Sequence, residues 1–300
     1  MTVLIAHKAV ELSKVKVARR KVLSAPHFLD DNYIAQPKYD GCFAAVTTFG
    51  GDFEVQSRTG ERIKSCDHLG EEILSAIPPY NVVFGEAWCP NTEQATISGD
   101  FRRHSASPNL KLVVFDMVTR AEFIKGYSPR SYTERRDTFM SYWCPHAEES
   151  MFRPSVRVSP SHNPGTYGNH EALRDEYLAK GGYDGLILRN PYAPWIKGNG
   201  TDGDIIKSKR VLSFDLEVLG VNEGMGKMKG LAGTLTLRWK DGRTIEAGGL
   251  DYLTREAWLM FPERIIGKIV EVEAMDYSSD GVLREPRIKS ARFDKEKADF

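Results

Sequence analysis

The chain has no excess charge of either sign. Its 41 Lys and Arg balance 41 Asp and Glu, which excludes a generally basic, nucleic-acid-coating surface and leaves only local patches to meet phosphates. Cysteine is scarce: Cys42, Cys66, Cys89 and Cys144 stand far apart with no CxxC pair, so neither a zinc site nor a disulfide framework is expected. They read as reduced thiols, which points to the cytoplasm, of a host cell if the chain is viral. Long apolar runs are lacking too. The N-terminal VLIA is broken at once by His7 and Lys8, which speaks against a signal peptide or a membrane span. There is no internal repeat or low-complexity stretch, and the seven histidines show no ligand spacing. What remains is a chain of 300 residues, 41% hydrophobic, long enough to bury a real core and to divide into two domains.

Residues 1–21 alternate apolar and basic, and Lys14, Lys16, Arg19, Arg20 and Lys21 crowd a segment of helical character. They form either a solvated face or a phosphate-contacting patch. The segment AQPKYDGCF, residues 35–43, places Lys38 at a strand-turn boundary. Such a lysine suits nucleophilic attack on phosphorus, provided that neighbouring cations, a metal or burial lower its proton affinity. Phe43–Phe49 and Phe53–Ser57 read as a hairpin joined by Gly50-Gly51, with Ser57-Arg58-Thr59-Gly60 at its exit. Helical spacing runs over Asp67–Ile77 and stops at Pro78-Pro79. Val82–Trp88 and Leu110–Val118 read as buried strands, each with one acid, Glu86 and Asp116. An acid on an apolar strand is costly unless paired or bound to metal.

Ser131 and Glu134 form a capping box opening a helix to about Trp143. Asn169 caps a second helix, ended by Gly181-Gly182. Gly185–Arg189 and Asp204–Lys209 read as strands. After Arg210 the texture becomes short strands, at Asp215–Val221, Leu231–Lys240, Arg243–Ala247 and Lys268–Tyr277, with one helix near Thr254–Met260. Short strands at this spacing with one helix suggest a small barrel of the oligonucleotide-binding (OB) type. A hinge falls just after Arg210, giving domains 1–210 and 211–300 in an α+β chain.

The segments KYDG, SRTG, FGEAW, VVFDMV, DGLILR, IIKSK and RxP...RxDK follow one another at strand ends across residues 36–295. In that order and spacing the chain resembles the covalent nucleotidyltransferases, specifically the short bacteriophage-type ATP-dependent DNA ligases. One KxDG is weak, but seven segments in register are strong. The resemblance implies an adenylation domain with antiparallel sheets and flanking helices, followed by an OB-fold barrel. It implies that Lys38 takes AMP from ATP and releases pyrophosphate, that Gln36 reads the adenine edge, and that Phe115 stacks on adenine. Arg58 would hold the ribose and later the nick phosphate. Glu86 would bind the ribose or magnesium, and Asp184, where the family more often has Glu, would hold magnesium through water. Lys207 and Lys209 would reach the α-phosphate. Arg284, Arg292 and Lys295 match the terminal motif that meets the outgoing phosphates, and Asp294 and Pro286 belong to the same motif.

Lys227 and Lys229, in a glycine-rich loop, would approach DNA phosphates. Phe43 departs from the family, which often places arginine there. The implied protein is a monomeric enzyme, with ATP as AMP donor and Mg²⁺ or Mn²⁺ as cation. It would seal 3′-hydroxyl/5′-phosphate nicks in duplex DNA during replication, repair and recombination. Rival readings are an RNA ligase, an mRNA-capping guanylyltransferase, and a non-catalytic nucleic-acid-binding protein that kept the barrel.

Overall fold

The computed structural model describes residues 6–143, 155–278 and 280–300. Cys144 and the apolar residues before Ala6 lie outside them. The chain divides into two compact units, Met1–Lys209 and Arg210–Phe300.

The first unit is built on two sheets. One has the strand order Asp52–Gln56, Cys42–Phe49, Asn81–Trp88, Lys111–Thr119, Val156–Val158, antiparallel except for its last, parallel pair. The other runs Val10–Glu11, Ile205–Ser208, Tyr183–Arg189, Ile34–Tyr39, again antiparallel but for the short parallel first pair. Period-two alternation sorts their faces. In the first sheet Ala44, Val46, Val83 and Ala87 pack with Ile73, Ile97 and Phe139 of the helices Gly70–Ala76, Gln94–Phe101 and Tyr132–Trp143. In the second sheet Ala35, Leu186, Leu188 and Ile206 pack with Leu173 and Tyr177 of helix His170–Lys180. Each such fully buried aliphatic side chain contributes about 1.5–3 kcal/mol. The residues between them in sequence therefore point the other way: Gln36, Ile187, Arg189 and Lys207 from the second sheet, Phe43 and Glu86 from the first, all into one pocket.

The second unit is a five-stranded antiparallel sheet ordered Thr244–Ala247, Ala232–Arg238, Leu212–Glu223, Ile269–Ala274, Arg287–Ala291. Its core is Leu216, Val218, Leu235, Leu237, Trp239, Val270 and Val272. The central strand is long and irregular in register at two places, which lets the sheet curl. Its edges meet at a single parallel bridge, Gly248 to Arg287, where the Ile288 amide donates to the Gly248 carbonyl at 2.7 Å. The expected barrel is thus an OB-like curled sheet joined at one point and not a ladder closed all round. Helix Tyr252–Met260 starts on Asp251, whose carboxylate accepts from the Thr254 amide.

Both expected helix caps form: Ser131 and Glu134 exchange side-chain and backbone hydrogen bonds, and Asn169 accepts from the Ala172 amide at 2.8 Å. Several elements escape the sequence pattern, four of which bear on the fold. Helix Gln94–Phe101 has no capping side chain, and helix Arg120–Lys125 hides its Thr119/Glu122 capping box at the end of a strand. Strand Val156–Val158 has only three residues. Strand Arg287–Ala291 is buried only at Ile288, within a stretch that reads as a basic tail. The helix expected over Asp67–Ile77 begins as a 3₁₀ turn, Asp67–Leu69, before becoming α-helical. Among the described residues no helix is long and apolar enough to cross a membrane.

Candidate active site

Lys38 sits one residue before the end of strand Ile34–Tyr39. The next turn needs Gly41, because a side chain there would run into the Ala87 carbonyl and lie 2.9 Å from the Glu86 Cγ. The absent Cβ lets the Lys38 turn close against the strand that carries Glu86. Across from Lys38 the ladder is irregular. Tyr183 pairs with Tyr39 and Leu186 with Pro37, so Asp184 and Gly185 together face the single residue Lys38. This bulge aims the Asp184 carboxylate at the lysine. Gly185 has φ +117°, and a Cβ there would strike the Ser208 carbonyl. Only glycine lets the bulge lie against the strand that carries Lys207.

The result is a cluster of charge at one end of a pocket of about 170 Å³. Asp184 Oδ2 lies 2.5 Å from Lys38 Nζ and 2.6 Å from Lys209 Nζ. Burial pushes the Asp184 carboxyl up, but the two lysines outweigh it and hold its pKa below the ordinary range. Burial, helped by the charges of Lys38, Lys209 and Arg58, pulls Lys207 below the usual lysine value. Glu86 moves the other way: burial, with Asp40 and Asp184 nearby, pushes its carboxyl up to about 7 against the opposing charges of Lys38 and Arg58. Glu86 has no hydrogen-bond or ion-pair partner among the described residues. Arg58 is placed by its turn, in which the Ser57 hydroxyl accepts from the Thr59 and Glu61 amides. Its guanidinium lies over the Phe43 ring at 5.3 Å.

The other end of the pocket is aromatic and amide-lined. Phe84 pairs with Asp116 and Gly85 with Val114, so Phe115 is the extra residue of a second bulge. That bulge turns both Phe115 and Asp116 toward Arg189, whose guanidinium lies 4.9 Å from the Phe115 ring and 3.9 Å from the Asp116 carboxylate. Arg189 Nε also donates to Gln36 Oε1 at 2.6 Å, and Gln36 Nε2 donates to Ser161 Oγ at 3.3 Å. Behind them Arg135 grips Asp116 through two hydrogen bonds of 2.9 Å, both side chains being 2% exposed. Sequence reasoning missed Arg189, Asp116 and Arg135. Arg189 stands in the quoted DGLILR segment and Asp116 was visible as an acid on an apolar strand, whereas Arg135, on a helix far along the chain, carries no local signal. His7 was also passed over. It lines the wall, and burial, with the nearby charge of Arg189, pulls its pKa down to about 4, so it is uncharged at neutral pH.

Gln36, Lys38, Arg58, Glu86, Phe115, Lys207 and Lys209 therefore line one pocket, and Asp184 touches two of them. Arg284, Arg292, Lys295, Lys227 and Lys229 belong to the second unit. There Arg292 and Lys295 both pair with Asp215, which is 8% exposed, and Arg292 also holds Asp294 at 2.9 Å. Lys227 and Lys229 stand exposed in the turn after Glu223, and Arg284 is exposed on a two-residue strand.

Among the described residues no three His, Cys, Asp or Glu side chains form a metal cluster. Magnesium commonly needs only one or two carboxylates beside substrate phosphates and water. Glu86, half-buried and without a partner, fits that mode, with Asp184 tied to its lysines nearby.

With the geometry established, comparison places it among known folds. The family model described as DNA ligase OB-like domain matches residues 223–292. The solved structure named Pmar-Lig_Pre is 20% identical, aligns over 98% of this chain and 68% of its own with a TM-score of 0.76. A structure from work on DNA binding by the minimal scaffold of Lig E DNA ligases is 18% identical, over 95% and 99%, with a TM-score of 0.67. The ATP-dependent DNA ligase from bacteriophage T7 in complex with ATP is 17% identical, over 96% and 98%, with a TM-score of 0.52. No curated protein sequence matches the chain. At these identities the likeness is one of fold, shared with structures named as DNA ligases over both units, while the family model covers only the OB-like part of the second unit.

Proposed function

We propose that the chain is an ATP-dependent DNA ligase that seals nicks in duplex DNA through an AMP-lysine intermediate on Lys38. One observation carries the reading: Lys38 lines a pocket together with further cations, Arg58, Lys207 and Lys209 among them, and with the unpartnered Glu86. The DNA ligase OB-like match of residues 223–292 gives that pocket a DNA-directed context.

In the first step the Lys38 Nζ–phosphorus bond forms as the bond from the α-phosphorus of ATP to pyrophosphate breaks, and the amine gives up its proton to solvent. Asp184, held ionised by two lysines, is too weak a base to take that proton, so its role is to aim Lys38. In the second step a 5′-phosphate oxygen of the nick displaces Lys38 and carries away the AMP. In the third the 3′-hydroxyl attacks that phosphate, AMP leaves, and the phosphodiester is complete. Each step builds negative charge on non-bridging phosphate oxygens. Lys207, Lys209 and Arg58 would meet it, and electrostatic preorganisation of this kind is the main catalytic resource for phosphoryl transfer. Mg²⁺ held by Glu86 would add charge neutralisation at the same oxygens.

Incubation with α-labelled ATP, followed by a denaturing gel, should give a labelled protein band, and a nicked duplex should chase the label and become sealed. Lys38→Ala should give neither band nor sealing. Labelling of that variant would move the nucleophile elsewhere, labelling only by GTP would favour a guanylyltransferase, and sealing only of RNA nicks an RNA ligase.

A further inference from the structure

Arg189 is buried, 5% exposed, and has no part in the chemistry above. Its Nε–H is committed to Gln36 Oε1, while its plane is held between the Phe115 ring at 4.9 Å and the Tyr132 ring at 5.0 Å. Asp116 draws its charge from one side and is itself fixed by Arg135. A guanidinium has only donors. The Gln36 amide must therefore turn its oxygen to Arg189, because the flipped amide would set NH₂ against N–H between two side chains only 2% and 5% exposed. That leaves the amide nitrogen for Ser161 and the pocket. One of its two hydrogens is used at 3.3 Å by Ser161 Oγ, and the other is available to a ligand.

We infer that Arg189 is a positioning residue that fixes the Gln36 amide with its N–H toward the pocket, so that the enzyme reads the purine at a ring acceptor and not at its exocyclic amine. The inference rests on the nucleotide-binding reading of the pocket and adds the polarity of its base contact. A carboxylate at position 36 would pair with Arg189 and offer the base an acceptor only. Gln36 with Arg189 therefore reverses the sense of that contact while leaving the stacking wall in place.

The test is single-turnover formation of the protein-nucleotide adduct by the full chain with three triphosphates. These are ATP, 1-deaza-ATP, which lacks the ring acceptor beside the amine, and purine riboside triphosphate, which lacks the amine. The wild type should lose about tenfold in adduct rate per concentration with 1-deaza-ATP, the worth of one hydrogen bond, and stay within about twofold with purine riboside triphosphate. Gln36→Glu should exchange the two responses. Arg189→Met should bring the ATP to 1-deaza-ATP ratio toward one, through apparent KM and not through the rate at saturation, and Arg189→Lys should restore part of the ratio. Sensitivity of the wild type to loss of the amine instead of the ring nitrogen would overturn the inference, even if neither Arg189 variant folds. A lower Arg189→Met rate with an unchanged ratio would reduce Arg189 to a structural role. Absence of any wild-type adduct would defeat the nucleotidyl-transfer reading itself, a different failure.

Discussion

Glu86→Gln should make the protein more stable and less active at once, and the stability gain should grow with pH. The carboxyl of Glu86 is pushed from its ordinary 4.5 up to about 7, first by burial, and has no ion pair to offset that cost. The native state therefore keeps its proton to about pH 7, whereas the unfolded chain releases it near 4.5. Between those values the native state binds more protons, so stability falls as pH rises and levels off above about 8. From pH 5.5 to 7 the span is about 1.5 pH units at about 1.4 kcal/mol each, roughly 2 kcal/mol. Water reaching the half-buried carboxylate trims this to about 1–2 kcal/mol. Glutamine keeps the shape and has no proton to lose. Thermal unfolding of the two proteins at pH 5.5 and 8.5 should show the gap in favour of the glutamine variant widening by about 2–8 °C. Mg²⁺ added with ATP should narrow it by giving the wild-type carboxylate a partner. A gap that does not change with pH would mean that Glu86 is solvated or paired, and would remove the argument for it as a cation ligand.

Asp116→Asn leaves Arg135 buried without its carboxylate and should cost about 3–5 kcal/mol. Urea unfolding reads this, and a cost below about 1 kcal/mol would show the pair to be dispensable. Gly185→Ala forces a side chain onto a backbone at φ +117° and into the Ser208 carbonyl. It should destabilise by about 1–3 kcal/mol and slow adduct formation in the same variant; normal labelling would show that the bulge does not set Lys207. Asp215→Asn removes the shared partner of Arg292 and Lys295. It should lower stability by about 1–3 kcal/mol, from lost charge-assisted bonds, and added salt should shrink the difference between the two proteins in thermal melts.

Most of the strands, both long capped helices and the position of Lys38 at a strand end were legible because each rests on local periodicity or a short capping pattern. The pocket residues were legible only as a set, through segments whose order resembles a family. Composition alone gives no reason for Gln36 and Glu86 to meet. What the sequence hides are the two bulges. Alternation gives each residue one face, yet Asp184 reaches Lys38 and Phe115 reaches the pocket because one extra residue breaks the ladder at each place. Arg135 was hidden for another reason. It meets Asp116 across 19 residues, and only tertiary packing makes a polar position on an ordinary helix into the buried end of a network. The terminal strand Arg287–Ala291 was lost because charged residues on its open face outweigh Ile288 in any hydropathy pattern.

Phe43 stands where the resembled family often has arginine, and its surroundings say what that exchange does. The ring is 9% exposed, stacks on Phe84 at 6.2 Å and has the Arg58 guanidinium 5.3 Å from its centre. It is also directly opposite Glu86 in the ladder. Directly paired residues have Cβ atoms about 4.5–5.5 Å apart, so an arginine here would supply Glu86 with the partner it lacks. An opposite charge at that distance lowers a carboxyl pKa by about 1–3 units. Phe43→Arg should therefore bring Glu86 back toward its ordinary range and flatten the pH dependence of stability that Glu86→Gln removes. The buried cation and the lost ring stacking both cost stability, so the informative quantity is the change in unfolding temperature between pH 5.5 and 8.5, not its absolute value. Phe43→Leu, which keeps the position apolar, should retain the wild-type pH dependence. If Phe43→Arg also retains it, the arginine has turned away from Glu86. The phenylalanine would then be a platform for Arg58 alone and not the reason that Glu86 remains unpaired.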